Sequence, residues 1–129
     1  MNMPMTRLDD RTETVLGFSL TALYDQVQAD EPLFGTASVV HPAHAALYEA
    51  EVEASAQHLA LTRLAIRPGR INERRLDQLD AAMERVEVAV ERRDRREARL
   101  ARLLDTLAAQ PADSRSVGRA ASSSSRETS

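Results

Sequence analysis

The longest regular pattern in the chain is a run of apolar residues spaced alternately three and four apart between Asn72 and Ala109. This spacing places the side chains on one face of a long α-helix. Written as heptads, eight of the ten core positions are apolar, and the exceptions are Arg93 and Glu97. The a positions are residues 76, 83, 90, 97 and 104, and the d positions are residues 79, 86, 93, 100 and 107. The pattern predicts a helix that packs lengthwise against another helix.

The strongest break in the sequence is the run Arg-Pro-Gly-Arg at residues 67–70. Proline stops a helix and glycine tolerates positive φ, so a tight reversal is expected here, with Asn72 as the cap of the following helix. Upstream, the Ala-rich segment 42–66 predicts a second helix with Pro42 in its first turn, where the missing N–H has no intrahelical partner. Two long helices joined by a short turn indicate an antiparallel hairpin.

A further helix is predicted near residues 12–30, with Thr12 as its N-cap. Residues 33–40 have no helical period and are interpreted as a connecting loop. The predicted fold is therefore all-α: a three-helix, coiled-coil-like bundle built on an antiparallel helical hairpin, with helices near 12–30, 42–66 and 71–109. These helices form a single domain over residues 12–110, preceded by a flexible N-terminus over residues 1–11.

The C-terminal segment 111–129 is rich in Ser and Arg and almost free of large apolar residues. Such a segment buries too little apolar surface to offset its ordering entropy, so a disordered tail is predicted.

Composition argues against most kinds of chemistry. The chain has no Cys and only four Gly, which excludes thiolate chemistry and leaves no glycine-rich phosphate loop. His41 and His44 are three residues apart, but no third metal ligand is in reach, so they are interpreted as polar residues at the start of a helix. We expect a non-enzymatic protein of the cytoplasm without cofactor, metal, small-molecule ligand or membrane span.

The predicted hairpin arms differ in length, at about 57 Å for residues 72–109 against about 37 Å for residues 42–66. Residues beyond about 95 would then overhang the second helix, and their leucines would need cover from the first helix or from another chain. The predicted function is a helical interaction protein that self-associates through its third helix or binds a protein partner. The predicted interaction residues are Leu100, Leu103, Leu104 and Leu107.

The same helix is electrically polarised, with a formal charge of −3 over residues 73–91 and +4 over residues 92–102. The alternative function is therefore a nucleic-acid-associated accessory protein whose arginines contact phosphates. The residues of this Arg stripe are Arg92, Arg95, Arg96, Arg99 and Arg102. Two other interpretations remain open: a solvated face with ion pairs to Asp25, Asp30 or Glu31, and a dimer register fixed by Arg93 and Glu97.

Overall fold

The computed structural model describes residues 6–110, and within them the chain forms four α-helices and no strand. The helices are α1 (Asp9–Leu16), α2 (Leu20–Gln28), α3 (Gly35–Ala65) and α4 (Glu73–Ala108). The all-α prediction is confirmed, with four helices in place of the predicted three. Residues 1–5 and 111–129 lie outside the described residues, and with them part of the predicted N-terminal segment and the predicted tail.

The predicted first helix is in fact two helices, because the chain turns at Gly17. This residue has φ of 82°, and its N–H donates to the Glu13 carbonyl, which ends α1. Ser19 then caps α2 by accepting a hydrogen bond from the backbone N–H of Ala22 at 3.1 Å. The helical start was also placed too late: α1 begins at Asp9, and Thr12 is a buried residue within it whose hydroxyl donates to the Leu8 carbonyl.

The predicted loop at residues 33–40 was wrong beyond its first two residues, because α3 begins at Gly35 and contains Pro42 in its interior. Thr36, Val40 and Leu47 are all buried at spacings of four and seven residues, and the latter two belong to the core that includes Leu100 and Leu104 of α4. Tertiary burial therefore outweighs the weak helix propensity of Gly, Thr and Val in this segment.

The reversal between α3 and α4 is held by residues of the fourth helix. The Asn72 side chain accepts a hydrogen bond from the Arg75 N–H at 2.9 Å, which confirms the predicted cap. The Arg75 guanidinium donates to the carbonyls of Leu64 and Gly69 at 3.3 and 3.2 Å, and also to that of Arg67. Arg75 therefore satisfies carbonyl groups that the end of α3 leaves without helical partners.

Helices α3 and α4 run antiparallel, with Arg75 near Leu64 at one end and the Arg96 guanidinium 2.9 Å from the Ala46 carbonyl further along. Leu100, Leu104 and Leu107 are buried at their predicted core positions, but nearer the reversal the buried residues lie one residue before the predicted a positions. Ala82 and Ala89 are buried, whereas Leu76 and Met83 are half exposed. Small alanines thus occupy the contact, and large side chains flank it.

The core lies at the end of the hairpin away from the reversal, where α1 and α2 pack against α3 and α4. Its fully buried members are Leu20, Leu23, Val40, Leu47, Leu100 and Leu104. The other half of the hairpin, from about residue 52 to about residue 90, consists of α3 and α4 alone, and its buried apolar residues are alanines. None of the helices between residues 6 and 110 is long and apolar enough to cross a membrane.

Candidate functional site

A chain of hydrogen bonds through His44 joins three helices. The His44 Nε2 lies 2.9 Å from Oδ1 of Asp9 on α1, and its Nδ1 lies 2.7 Å from the Tyr24 hydroxyl on α2. Because a carboxylate only accepts, Nε2 carries the hydrogen in the neutral imidazole, and Nδ1 accepts from the tyrosine O–H. Thr6 also donates to Asp9 Oδ1, at 2.7 Å. The sequence interpretation of His44 as a polar residue at the start of a helix missed this role.

Burial shapes the electrostatics of this network. Burial, together with the negative charge of Asp9, raises the pKa of Tyr24 to about 12. The ring of Tyr24 also packs edge-on against His41, with 5.2 Å between ring centroids, and burial lowers the pKa of His41. The His44 side chain is 0% exposed, and both of its nitrogens are bonded to side chains of the same chain. The network therefore ties α1 and α2 to α3 and presents no free imidazole nitrogen to a ligand.

Carboxylates gather beside this network, where α1 lies between α3 and α4. Burial and the charges of Glu97 and Asp9 raise the pKa of Glu51. Arg7 lies 3.9 Å from Glu97 and supplies partial compensation. Across residues 6–110, no group of three or more acidic or histidine side chains is arranged to hold a metal ion.

The predicted leucine site lies inside the fold, and the predicted overhang is absent from the described residues. Leu100 and Leu104 are 0% exposed, Leu107 is buried, and Leu103 packs against the same cluster. Because α3 begins seven residues earlier than predicted, it reaches the end of α4 and helps to cover these leucines together with α1 and α2. The ion pair of Arg11 with Asp105 fixes α1 over the same region.

The five arginines of the predicted Arg stripe differ in burial and in their contacts. Arg96 is partly buried and donates to the Ala46 carbonyl, so it belongs to the contact between α3 and α4. The other four arginines are exposed, and none forms a salt bridge with a residue in the range 6–110. The suggested ion pairs to Asp25, Asp30 or Glu31 are therefore not present in that range. Arg93 pairs with Asp94, and Glu97 pairs with Arg7 of its own chain.

The outer side of α3 carries a row of exposed apolar residues. Val52, Leu59 and Ile66 recur every seven residues and are 50%, 49% and 73% exposed. We call them the outer stripe. Val52 is two residues from buried Ala50 and Ala54, or about 200° around the helix, so the stripe points away from α4.

The segment around Leu59, the middle residue of this stripe, has no charge. Residues 54–62 read Ala-Ser-Ala-Gln-His-Leu-Ala-Leu-Thr, and we call them the neutral band. Only four of the 31 residues of α3 are acidic or Arg, against 18 of the 36 residues of α4. Most of the neutral band is exposed, and it combines apolar residues with the uncharged polar residues Ser55, Gln57 and Thr62.

Charged residues begin directly at the two ends of the neutral band. Glu49 and Glu53 precede it, and Arg63 and Arg67 follow it. All four are exposed, and none forms a salt bridge within the part of the chain that the structure describes. A search of the sequence for uncharged stretches within predicted helices, in addition to apolar periodicity, would have found this feature.

Comparison with protein-family models, with curated proteins and with solved structures found no match to this chain.

Proposed function

We propose that this chain is a non-enzymatic interaction protein that binds another protein through the outer side of α3. The observation that carries the proposal is the exposure of Val52, Leu59 and Ile66 in and around a helical segment without charge. Burying what remains exposed of each side chain is worth about 1 kcal/mol, roughly half the value for complete burial. A partner that covers all three side chains therefore obtains a substantial part of its binding free energy from them.

The arrangement of the helices supports this choice of surface. Near its start, α3 is covered on its outer side by α2, since Tyr24 packs on His41. His41 and Val52 are eleven residues apart, which is close to three helical turns, so they lie on the same side of α3. The fold therefore covers the first part of this side and leaves the second part bare.

Site-specific photocrosslinking in cells tests the proposal. A photoreactive residue at position 59 should yield a covalent adduct with a protein, because the outer stripe is expected to lie within an interface. The same residue at position 80, an exposed Asp on α4, is the matched control. Equal and low crosslinking at both positions would contradict the proposal.

A second candidate function is nucleic-acid binding, in which arginines of α4 contact the backbone phosphates. The supporting observation is that Arg92, Arg95, Arg99 and Arg102 are exposed without a salt bridge in the range 6–110. Their spacing of three or four residues places them along one side of the helix over about 15 Å. This geometry suits a run of phosphates.

Fluorescence anisotropy with a labelled DNA duplex tests this second function. Binding should weaken steeply between 50 and 200 mM salt, and substituting both Arg95 and Arg99 by Gln should lower the affinity about tenfold. The double substitution of Arg70 and Arg74 by Gln removes the same charge elsewhere and should have a smaller effect. Absence of binding at low salt would rule the function out.

A further inference from the structure

We infer that the protein that covers the outer side of α3 is a second copy of this chain, with the two α3 helices packed antiparallel. This inference rests on the proposed function and names its partner. The surfaces that meet are the outer stripe, Val52, Leu59 and Ile66, and the neutral band, residues 54–62, of each copy.

The charges at the two ends of the neutral band select this partner and this orientation. The acidic end carries Glu49 and Glu53, and the basic end carries Arg63 and Arg67. In an antiparallel pair whose two-fold axis passes near residue 58, residue 53 of one copy lies opposite residue 63 of the other, and residue 49 lies opposite residue 67. Each acidic end then faces a basic end, twice over by symmetry.

A parallel pair is disfavoured by the same residues. It would place Glu49 and Glu53 beside their own copies at one end, and Arg63 and Arg67 beside theirs at the other. Like charges held across an interface cost energy, so the charge order specifies an antiparallel dimer.

The free length of α3 matches what such a pair needs. The outer side is covered by Tyr24 at His41 and is bare from about residue 49 to the end of α3 at Ala65. This bare length is about 25 Å, and the same segment of a reversed second copy fills it. Exposed Ser55 and Ala56 next to Leu59 allow the two helices to approach closely.

Sedimentation equilibrium of the full chain with paired charge reversals tests the inference. The monomer mass is 14.3 kDa, and the wild-type chain should approach twice this mass at micromolar concentrations. The variant Glu49→Arg with Glu53→Arg has basic residues at both ends of the band, and the variant Arg63→Glu with Arg67→Glu has acidic residues at both ends. Each variant alone should dimerise about tenfold more weakly than the wild type, because four attractive pairs become repulsive.

An equimolar mixture of the two variants should recover dimers, because the basic variant then faces the acidic one at both ends. All four positions are exposed, so the variants should keep the circular dichroism spectrum of the wild type. Unchanged dimerisation of the separate variants, or no recovery in the mixture, would place the interface elsewhere and overturn the inference.

The failure of this inference is distinguishable from the failure of the proposed function. A wild-type chain that stays monomeric at all concentrations overturns self-association. In that case crosslinking at position 59 to a different protein would still support the proposed function, and the absence of any specific adduct would contradict both.

Discussion

The completely buried imidazole of His44 on α3 is hydrogen-bonded to Asp9 on α1 and to Tyr24 on α2. Helices α1 and α2 are short, with eight and nine residues, so each contains few hydrogen bonds within its own helix. Isolated helices of this length are marginal in water. The hydrogen bonds at His44 therefore help to fix α1 and α2 on the hairpin, in addition to the leucines beneath them.

Tyr24→Phe should lower the free energy of unfolding by about 1–2 kcal/mol. The substitution keeps the ring but leaves Nδ1 of the buried His44 without its partner. Urea unfolding followed by circular dichroism measures the change. Tyr48→Phe is the matched control and should change stability by less than about 0.5 kcal/mol, because no hydrogen bond of its hydroxyl is found within residues 6–110.

Stability should fall as the pH rises from about 10 towards 12. The native pKa of Tyr24 is about 12, above the ordinary value of 10.0, so the folded state holds the phenol proton more tightly than the unfolded state. This contribution is complete below pH 10 and is lost as the pH rises through the native pKa. The chain has no Lys and no Cys, so few other side chains titrate in this range. A Tyr24→Phe variant with an equally steep decline would contradict this assignment.

Glu51→Gln should raise the free energy of unfolding at pH 7, by less than about 1 kcal/mol at this partly exposed site. Burial, Glu97 and Asp9 raise the pKa of Glu51, so its ionised form is unfavourable in the folded protein. The gain should disappear at acid pH, where the glutamate is protonated in both states. Thermal unfolding at pH 7 and pH 3.5 measures both effects, and a loss of stability at pH 7 would show that the carboxylate is well compensated.

At the scale of the helices, periodicity predicted α4 and the reversal before it, because both depend on local signals. The helix was predicted near residues 71–109 and is observed over Glu73–Ala108, with Asn72 as its cap. The start of α3 was missed, since Gly35, Val39 and Val40 disfavour a helix locally, and only burial of Val40 against other helices stabilises one there. The break between α1 and α2 at Gly17 was not predicted, because the apolar spacing continues across it.

Arg75→Ala should lower the free energy of unfolding by about 1–3 kcal/mol. The guanidinium bonds carbonyls of Leu64, Arg67 and Gly69, and its loss leaves the end of α3 without these partners. Arg74→Ala, which removes an exposed neighbour, is the control and should change stability by less than about 0.5 kcal/mol. Equal effects in denaturant unfolding would mean that the lost charge, and not the lost hydrogen bonds, is responsible.

At the scale of the whole molecule, the start of α3 decides which surface is left uncovered. A helix starting at Pro42 would not reach the end of α4, whereas the observed start at Gly35 brings α3 alongside Leu100 and Leu104, which α1 and α2 also cover. Leu100, Leu104 and Leu107 are therefore buried in the core, whereas Val52, Leu59 and Ile66 remain exposed towards the reversal.

The surface now proposed for binding was only partly readable from the sequence. The apolar spacing of Val52, Leu59 and Ile66 is plain in the printed residues, and so is the absence of charge in the neutral band. Which side of α3 faces α4 was not readable, because an Ala-rich helix offers apolar residues on several sides. Burial of Ala50 and Ala54 settles that question and leaves the outer stripe exposed.

Disulfide formation at position 59 shows whether two α3 helices pack antiparallel, since the chain has no cysteine of its own. With Leu59→Cys, the antiparallel pairing of α3 places the two introduced thiols near the two-fold axis, so mild oxidation should give a covalent dimer in high yield. Asp80→Cys, on the outer side of α4, should remain monomeric under the same conditions. Equal yields from the two variants, or no covalent dimer at position 59, would contradict the antiparallel pairing of α3.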